Sequence, residues 1–149
     1  MEPKLIKAIY LPIEPPTRTA QQKGVRVVHG HPHFFEKKEV SAAKAILKDQ
    51  LLKFVPDEPI KGAVRIDVTF AFGTKDKKKL RNEYRTTRPD LDNLFKGLAD
   101  CMTELGFWDD DSQIVSIVLR KLWVPADEAH LSITVSEYVE VEDAAEKET

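Results

Sequence analysis

Between Ala63 and Val124 the apolar residues change period twice, and that change commits the middle of the chain to strand, helix, strand. From Ala63 to Phe72 they alternate. Val64, Ile66, Val68, Phe70 and Phe72 fall on one face, with Arg65, Asp67 and Thr69 on the other, the pattern of a half-buried strand. From Leu91 to Leu105 the spacing turns helical, with a stripe of Leu91, Leu94/Phe95, Leu98, Met102 and Leu105. Asp90 stands where a helix favours an N-cap, and Gly106 where it favours a left-handed terminator. Gln113–Val124, rich in β-branched residues, reads as the second strand.

The flanks extend the pattern. Lys4 to Ile13 reads as a first strand, ending in the proline-rich break 12–16. Residues 14–36 are polar and show no period; a loop of this length is functional or disordered. SAAKAILKDQLLKF, from Ser41, reads as a helix with Ala42, Ala45/Ile46 and Leu52 on its apolar side, with 36–40 as a candidate first turn, stopped by Pro56 and Pro59. Pro125–Glu128 turns the chain into a last strand, Leu131–Tyr138. The expected order is β-α-β-α-β-β. The expected class is α+β, two layers, with a four-stranded mixed β-sheet and helices packed on it.

A chain of 149 residues, 42% of them hydrophobic, suits one domain with a real core. No apolar run approaches the roughly 20 residues that cross a bilayer, and the N-terminus lacks a secretory h-region, so the expected location is cytoplasmic, away from membranes. Cys101 is the single cysteine, which leaves no internal disulfide and no cysteine-based zinc site. Inside the helix it reads as a buried, inert thiol. The net charge of −2 conceals an asymmetry. Residues 137–149 carry six acids against one base, whereas residues 1–136 carry 22 bases against 19 acids. The expected division is a folded domain over 1–136 and an acidic, solvated tail over 137–149.

The chemistry concentrates between Arg88 and Ile114, which hold Asp90, Asp92, Asp100, Asp109, Asp110 and Asp111. Carboxylates this crowded repel unless a cation or a shared proton holds them. A hard divalent ion such as Mg²⁺ takes a few carboxylates together with water and phosphate oxygens. Asp92, Lys96 and Asp100 share one polar stripe, which alone is also an ordinary i,i+4 ladder. A helix of 15 residues is about 22 Å long, so a strand running back beside it starts near the helix end, away from Asp90. Asp111 joins Asp90 only if the intervening loop leads the chain back, or if the partner cluster belongs to another subunit. The segment before the helix, Gly73–Arg88, is basic: Lys75, Lys77, Lys78, Lys79, Arg81, Arg85 and Arg88 suit a phosphate backbone. Arg18, Lys23 and Arg26 in the N-terminal loop add further candidates. His29, His31 and His33 lack an evident fourth zinc ligand and suit phosphate contacts better. Phe34 and Phe35 either wedge a kinked duplex step or pack under the first helix. A Ca²⁺-binding protein fits the residues poorly, because Leu94 stands where an EF-hand loop needs oxygen.

At these residues the chain resembles the RusA-type Holliday junction resolvases, endonucleases of phages and prophages. The likeness rests on Asp90-Leu91-Asp92-Asn93, Lys96, Gly106-Phe107-Trp108 and Asp110-Asp111-Ser112-Gln113, without a gap from Arg88 to Gln113. A weaker likeness covers the first strand followed by Pro15-Pro16. The resemblance implies a homodimeric, Mg²⁺-dependent crossover junction endodeoxyribonuclease, with Mn²⁺ able to substitute. Its substrate would be branched DNA, a four-way junction nicked symmetrically in recombination and repair. It implies Asp90, Asp92 and Asp111 as metal-binding carboxylates and Lys96 as the catalytic lysine. Asp109, a third consecutive acid, and Thr17 after the proline pair depart from the family pattern. Two other readings stand beside it: a metal-dependent nuclease for flaps, duplex or RNA, and a non-catalytic DNA-binding module.

Overall fold

Val64–Thr74 (β4) is the spine of the molecule, paired on both sides. This computed structural model describes residues 1–17, 23–28, 30–36 and 38–141. The other strands are Glu2–Leu11 (β1), Lys23–Val28 (β2), His31–Glu36 (β3), Ile114–Pro125 (β5) and His130–Val139 (β6). The helices are Lys38–Leu51 (α1), Lys77–Asn82 (α2) and Leu91–Leu105 (α3). The main sheet has the order β1-β6-β4-β5, with β4 and β5 parallel and the other pairs antiparallel. It is the expected four-stranded mixed sheet of an α+β fold.

Strand alternation sorts the two faces. Val64, Ile66, Val68, Phe70 and Phe72 of β4, Leu131, Ile133 and Val135 of β6, and Ile9 and Leu11 of β1 are buried under the helices. Leu94, Leu98, Cys101 and Met102 of α3 and Leu47 and Leu51 of α1 close the core from above. At about 25 cal/mol per Å² of apolar surface removed from water, burial of this kind is what holds the two layers together. Gly106 (φ +92°) ends α3 in the left-handed region, its amide returning to the carbonyls of Met102 and Thr103. The chain then plunges inward, so that Phe107 and Trp108 are core residues. The Trp108 Nε1–H donates to Thr103 Oγ1 at 2.8 Å, which satisfies its polar end.

Three expectations change. The segment 14–36, read as loop, contains the two-stranded hairpin β2–β3, turning at Gly30 (φ +79°). Val25, Val27 and Val28 shortly before Gly30 carried that signal, and the interspersed charges and histidines obscured it. The first helix begins at Lys38, within the candidate first turn, but its core side is Leu47 and Leu51; the stripe of Ala42, Ala45/Ile46 and Leu52 points outward, with Ile46 58% and Leu52 61% exposed. Apolar residues on both sides of this helix left the moment ambiguous. The last strand runs through Val139, so residues 137–139 belong to the sheet, and the Glu137 carboxylate accepts from the Gly62 amide at 3.2 Å. Residues 142–149 lie outside the described residues. Among the described residues no helix is long and apolar enough to cross a membrane.

Candidate active site

Because Leu94, Leu98, Cys101 and Met102 commit one side of α3 to the core, Asp92 and Lys96 emerge exposed on the opposite side, one turn apart. Asp90 holds the N-cap position in an extended conformation, yet its side chain makes no capping bond. Its carboxylate is therefore not consumed in ending the helix, while its carbonyl accepts from the Leu94 amide at 3.1 Å.

The second acidic cluster is built by Gln113. Its Oε1 accepts from the amides of Asp109 (2.8 Å) and Asp110 (2.9 Å), and its Nε2 donates to the carbonyls of Ile60 (2.7 Å) and Gly62 (3.0 Å). One amide side chain thus fastens the loop to the start of β4. Asp110 caps a 3₁₀ turn, Asp111–Gln113, accepting from the Ser112 amide at 3.0 Å. Asp109 ion-pairs with Lys61 at 3.0 Å, so the extra acid of the triplet has its own counter-charge. The Ser112 amide and the hydrogen bond with Asp111 hold the Asp110 carboxyl below its ordinary range. Sharing that proton with Asp110, next to further negative charge, pushes Asp111 above it. Asp111 lines a groove of about 310 Å³ between α3 and β5 together with Phe95, Lys96, Ala99, Asp100, Ile114 and Ile117.

The loop after Gly106 therefore carries the chain back only to the middle of α3. Asp111 meets Lys96 and Asp100 there, while Asp90 lies at the other end of the unit, beside Lys121 near the far end of β5. Lys121 lies seven positions beyond Ile114 along the strand, which is about 23 Å of extended chain. Within one chain Lys96 lines the same groove as Asp111, and Asp90 and Asp92 are not among its lining residues. Among the described residues no three histidine, cysteine or acidic side chains converge as a metal set.

The basic segment is more ordered than a solvated charge run. Asp76 caps α2, accepting from the Lys78 amide at 2.9 Å. Arg85 is not a free cation: its guanidinium lies 4.3 Å from the Phe72 ring centre and 4.6 Å from that of Trp123. It also donates to the Arg88 carbonyl at 2.6 Å, and burial pushes its pKa below the ordinary value. Lys79 stands 4.7 Å over the Trp123 ring. Lys75, Lys77, Lys78, Arg81 and Arg88 remain exposed. Lys23 and Arg26 stand on β2 and His31, His33, Phe34 and Phe35 on β3, of which only the backbone is described; Arg18 and His29 lie outside the described residues.

The family model "Endodeoxyribonuclease RusA" matches residues 12–136. A crossover junction endodeoxyribonuclease of Lactococcus phage r1t is 38% identical over 118 residues, covering 78% of this chain and 88% of the relative. The chain belongs to the RusA family. The RusA protein of Escherichia coli K12 is 42% identical over 50 residues, 34% of this chain and 41% of its own. That of Enterobacteria phage 82 is 36% identical over 78 residues, 52% of this chain and 62% of its own.

For a RusA-family protein the donor chemistry is apt. Exposed aspartates are hard oxygen ligands suited to a divalent cation. They stand as two separate pairs, Asp90 with Asp92 at the start of α3 and Asp110 with Asp111 in the loop that follows it. Reading the sequence missed three supporting residues: Gln113 as the anchor of the second pair, Lys61 as the partner of Asp109, and Lys121 beneath the Asp90 segment. Gln113 stood in the acidic motif itself. Lys121 gave no local signal, because its role depends on which strand passes under the helix start.

Proposed function

We propose that this RusA-family chain is a homodimeric, Mg²⁺-dependent endonuclease, encoded by a phage or prophage, that resolves four-way DNA junctions by paired symmetric nicks. The observation that carries the reading is the ungapped acidic motif in a chain that matches the family over residues 12–136, with Asp90, Asp92 and Lys96 all exposed. Relatives named as crossover junction endodeoxyribonucleases, two of them from phages, supply the substrate class.

The separation of the two pairs favours a composite site. Asp90 and Asp92 of one copy would hold the cation with Asp111 of a second copy. The outer edge of β5 offers a place for that copy. Among the described residues its first half, 114–120, pairs only with β4 on the inner side, and Val115 and Ile117 are 62% and 45% exposed. An antiparallel isologous contact along this free half would set the 114 end of each strand against the 120 end of the other. It would therefore set one Asp111 toward the other chain's Asp90. When bound, the ion would polarise the scissile phosphate and lower the pKa of an attacking water. Lys96 would stabilise the charge developing on the phosphate. The start of α3 adds a field that favours an anion. Lys75, Lys77, Lys78, Arg81 and Arg88 would hold the backbone.

The test is cleavage of a labelled synthetic four-way junction beside a linear duplex of the same sequence, with Mg²⁺ or EDTA. Paired nicks confined to the junction and dependent on Mg²⁺ are expected. Asp92→Asn and Lys96→Ala are expected to abolish them, with junction binding retained. Cutting of both substrates would replace the junction assignment with a general nuclease. Binding without cutting would favour a non-catalytic module.

A further inference from the structure

The segment 83–90, which delivers Asp90 to the start of α3, is fastened to the far half of the β5 edge. The Trp123 amide donates to the Glu83 carbonyl at 2.6 Å, and the Arg85 amide to the Lys121 carbonyl at 3.1 Å. Tyr84 pairs with Leu122 in an antiparallel bridge. Beyond Arg85 the segment has no further bond to the strand's backbone among the described residues, and side chains take over. Lys121 Nζ donates to the carbonyls of Thr87 (2.9 Å) and Pro89 (2.8 Å), and Arg85 donates to the carbonyl between them, that of Arg88 (2.6 Å). Three successive carbonyls are thus held by two cations. Arg85 is itself wedged against Phe72 and Trp123, so the clamp rests on the core.

Lys121 arrives there by register. It pairs with Phe70 on β4 and so points to the helix-bearing side of the sheet, where Phe70 is buried. An ammonium in that position, beside a second cation, is placed against its own preference. Burial and the Arg85 charge both push its pKa down, and the Asp90 carboxylate opposes them. Two carbonyl acceptors and a nearby carboxylate compensate it.

We propose that Lys121 is a positioning residue: it clamps the Thr87 and Pro89 carbonyls so that Asp90 is fixed for cation binding. This inference rests on the proposed function in treating Asp90 as a metal carboxylate. It assigns Lys121 a role distinct from the exposed basic residues, which meet DNA. Residues that orient metal ligands typically carry 10- to 100-fold in metal affinity or activity.

The experiment compares Lys121→Met, which keeps the apolar stem, with Lys121→Arg, which restores a cation able to reach two carbonyls. Three readouts are taken on the full chain: the Mg²⁺ concentration giving half-maximal junction cleavage, junction affinity in EDTA, and amide hydrogen exchange over residues 85–90. In Lys121→Met the half-maximal Mg²⁺ concentration is expected to rise about tenfold, with faster exchange at 85–90 and EDTA affinity within about twofold of wild type. Lys121→Arg is expected to recover most of the difference. Unchanged Mg²⁺ dependence, or a loss of junction affinity with Mg²⁺ dependence intact, overturns the assignment; the latter would make Lys121 a DNA contact. Should Lys121→Met not fold, Lys121→Gln, which keeps a donor, is judged on the same criteria. If the wild-type protein cuts no junction, the proposed function falls on its own. The clamp is then judged by exchange alone: acceleration at 85–90 in Lys121→Met, reversed in Lys121→Arg, supports it, and unchanged exchange overturns it.

Discussion

Asp110 and Asp111 are adjacent in sequence and opposite in behaviour. The Ser112 amide and the hydrogen bond with Asp111 lower the pKa of Asp110, and the hydrogen bond with Asp110 raises that of Asp111. As a proposed metal ligand Asp111 must be deprotonated, so a proton on it competes with the ion. Metal affinity should therefore weaken as pH falls through the raised pKa of Asp111, above the point where an ordinary carboxylate would begin to protonate. Asp110→Asn removes the neighbouring anion and returns Asp111 toward its usual range. Measured as half-maximal Mg²⁺ for cleavage against pH, the acid limb of the variant should lie at lower pH than that of the wild type. Coincident limbs would mean that the pair does not set metal binding. The acids themselves were legible in the sequence, as was their spacing. Which of them had private partners was not, since the Lys61–Asp109 pair joins residues 48 apart.

At the scale of elements, Gln113 links the acidic loop to β4 through four hydrogen bonds. Gln113→Leu strips partners from two amides and two carbonyls, some of them half-buried. Leaving such groups unsatisfied costs about 1–3 kcal/mol. A loss of about 2 kcal/mol in denaturant unfolding is expected, and unchanged stability would show that water replaces the side chain without penalty. In the basic segment α2 divides the lysines by role. Lys77 and Lys78 are exposed, while Lys79 is engaged with Trp123. The Lys77/Lys78/Lys79 triple alanine variant should weaken junction binding. It should also lower the slope of log K against log salt by about 2, at roughly 0.9 for each phosphate no longer neutralised. An unchanged slope would remove α2 from the DNA surface. The long elements α3, β4 and β5 could be read within a residue or two, because period and caps agree there. The hairpin β2–β3 and the core side of α1 could not. In the first, polar residues break the alternation; in the second, apolar residues on both sides leave the moment without a direction.

For the whole molecule, the parallel β4–β5 pair is the decisive fact. It makes α3 run back against β5 and so holds Asp90 and Asp111 at different levels of one chain. The sequence implied this geometry, but whether a second copy completes the site is not encoded in any local pattern. A mixing experiment reads it directly. Asp92→Asn and Asp111→Asn should each be inactive alone. In a composite dimer, combining the two variants places both defects in one site and leaves the other intact. Random reassociation should then restore about a quarter of the wild-type sites, seen as nicking of one strand per junction. No restoration after verified subunit exchange would place each site within a single chain.

The two tryptophans of this chain stand in different worlds. Trp108 is sealed in the core with its N–H satisfied, whereas Trp123 lies half-buried under the cations of Lys79 and Arg85. The protein therefore carries two native fluorophores in separate settings: one reports whether the core is intact, and the other whether α2 keeps its lysine over the ring.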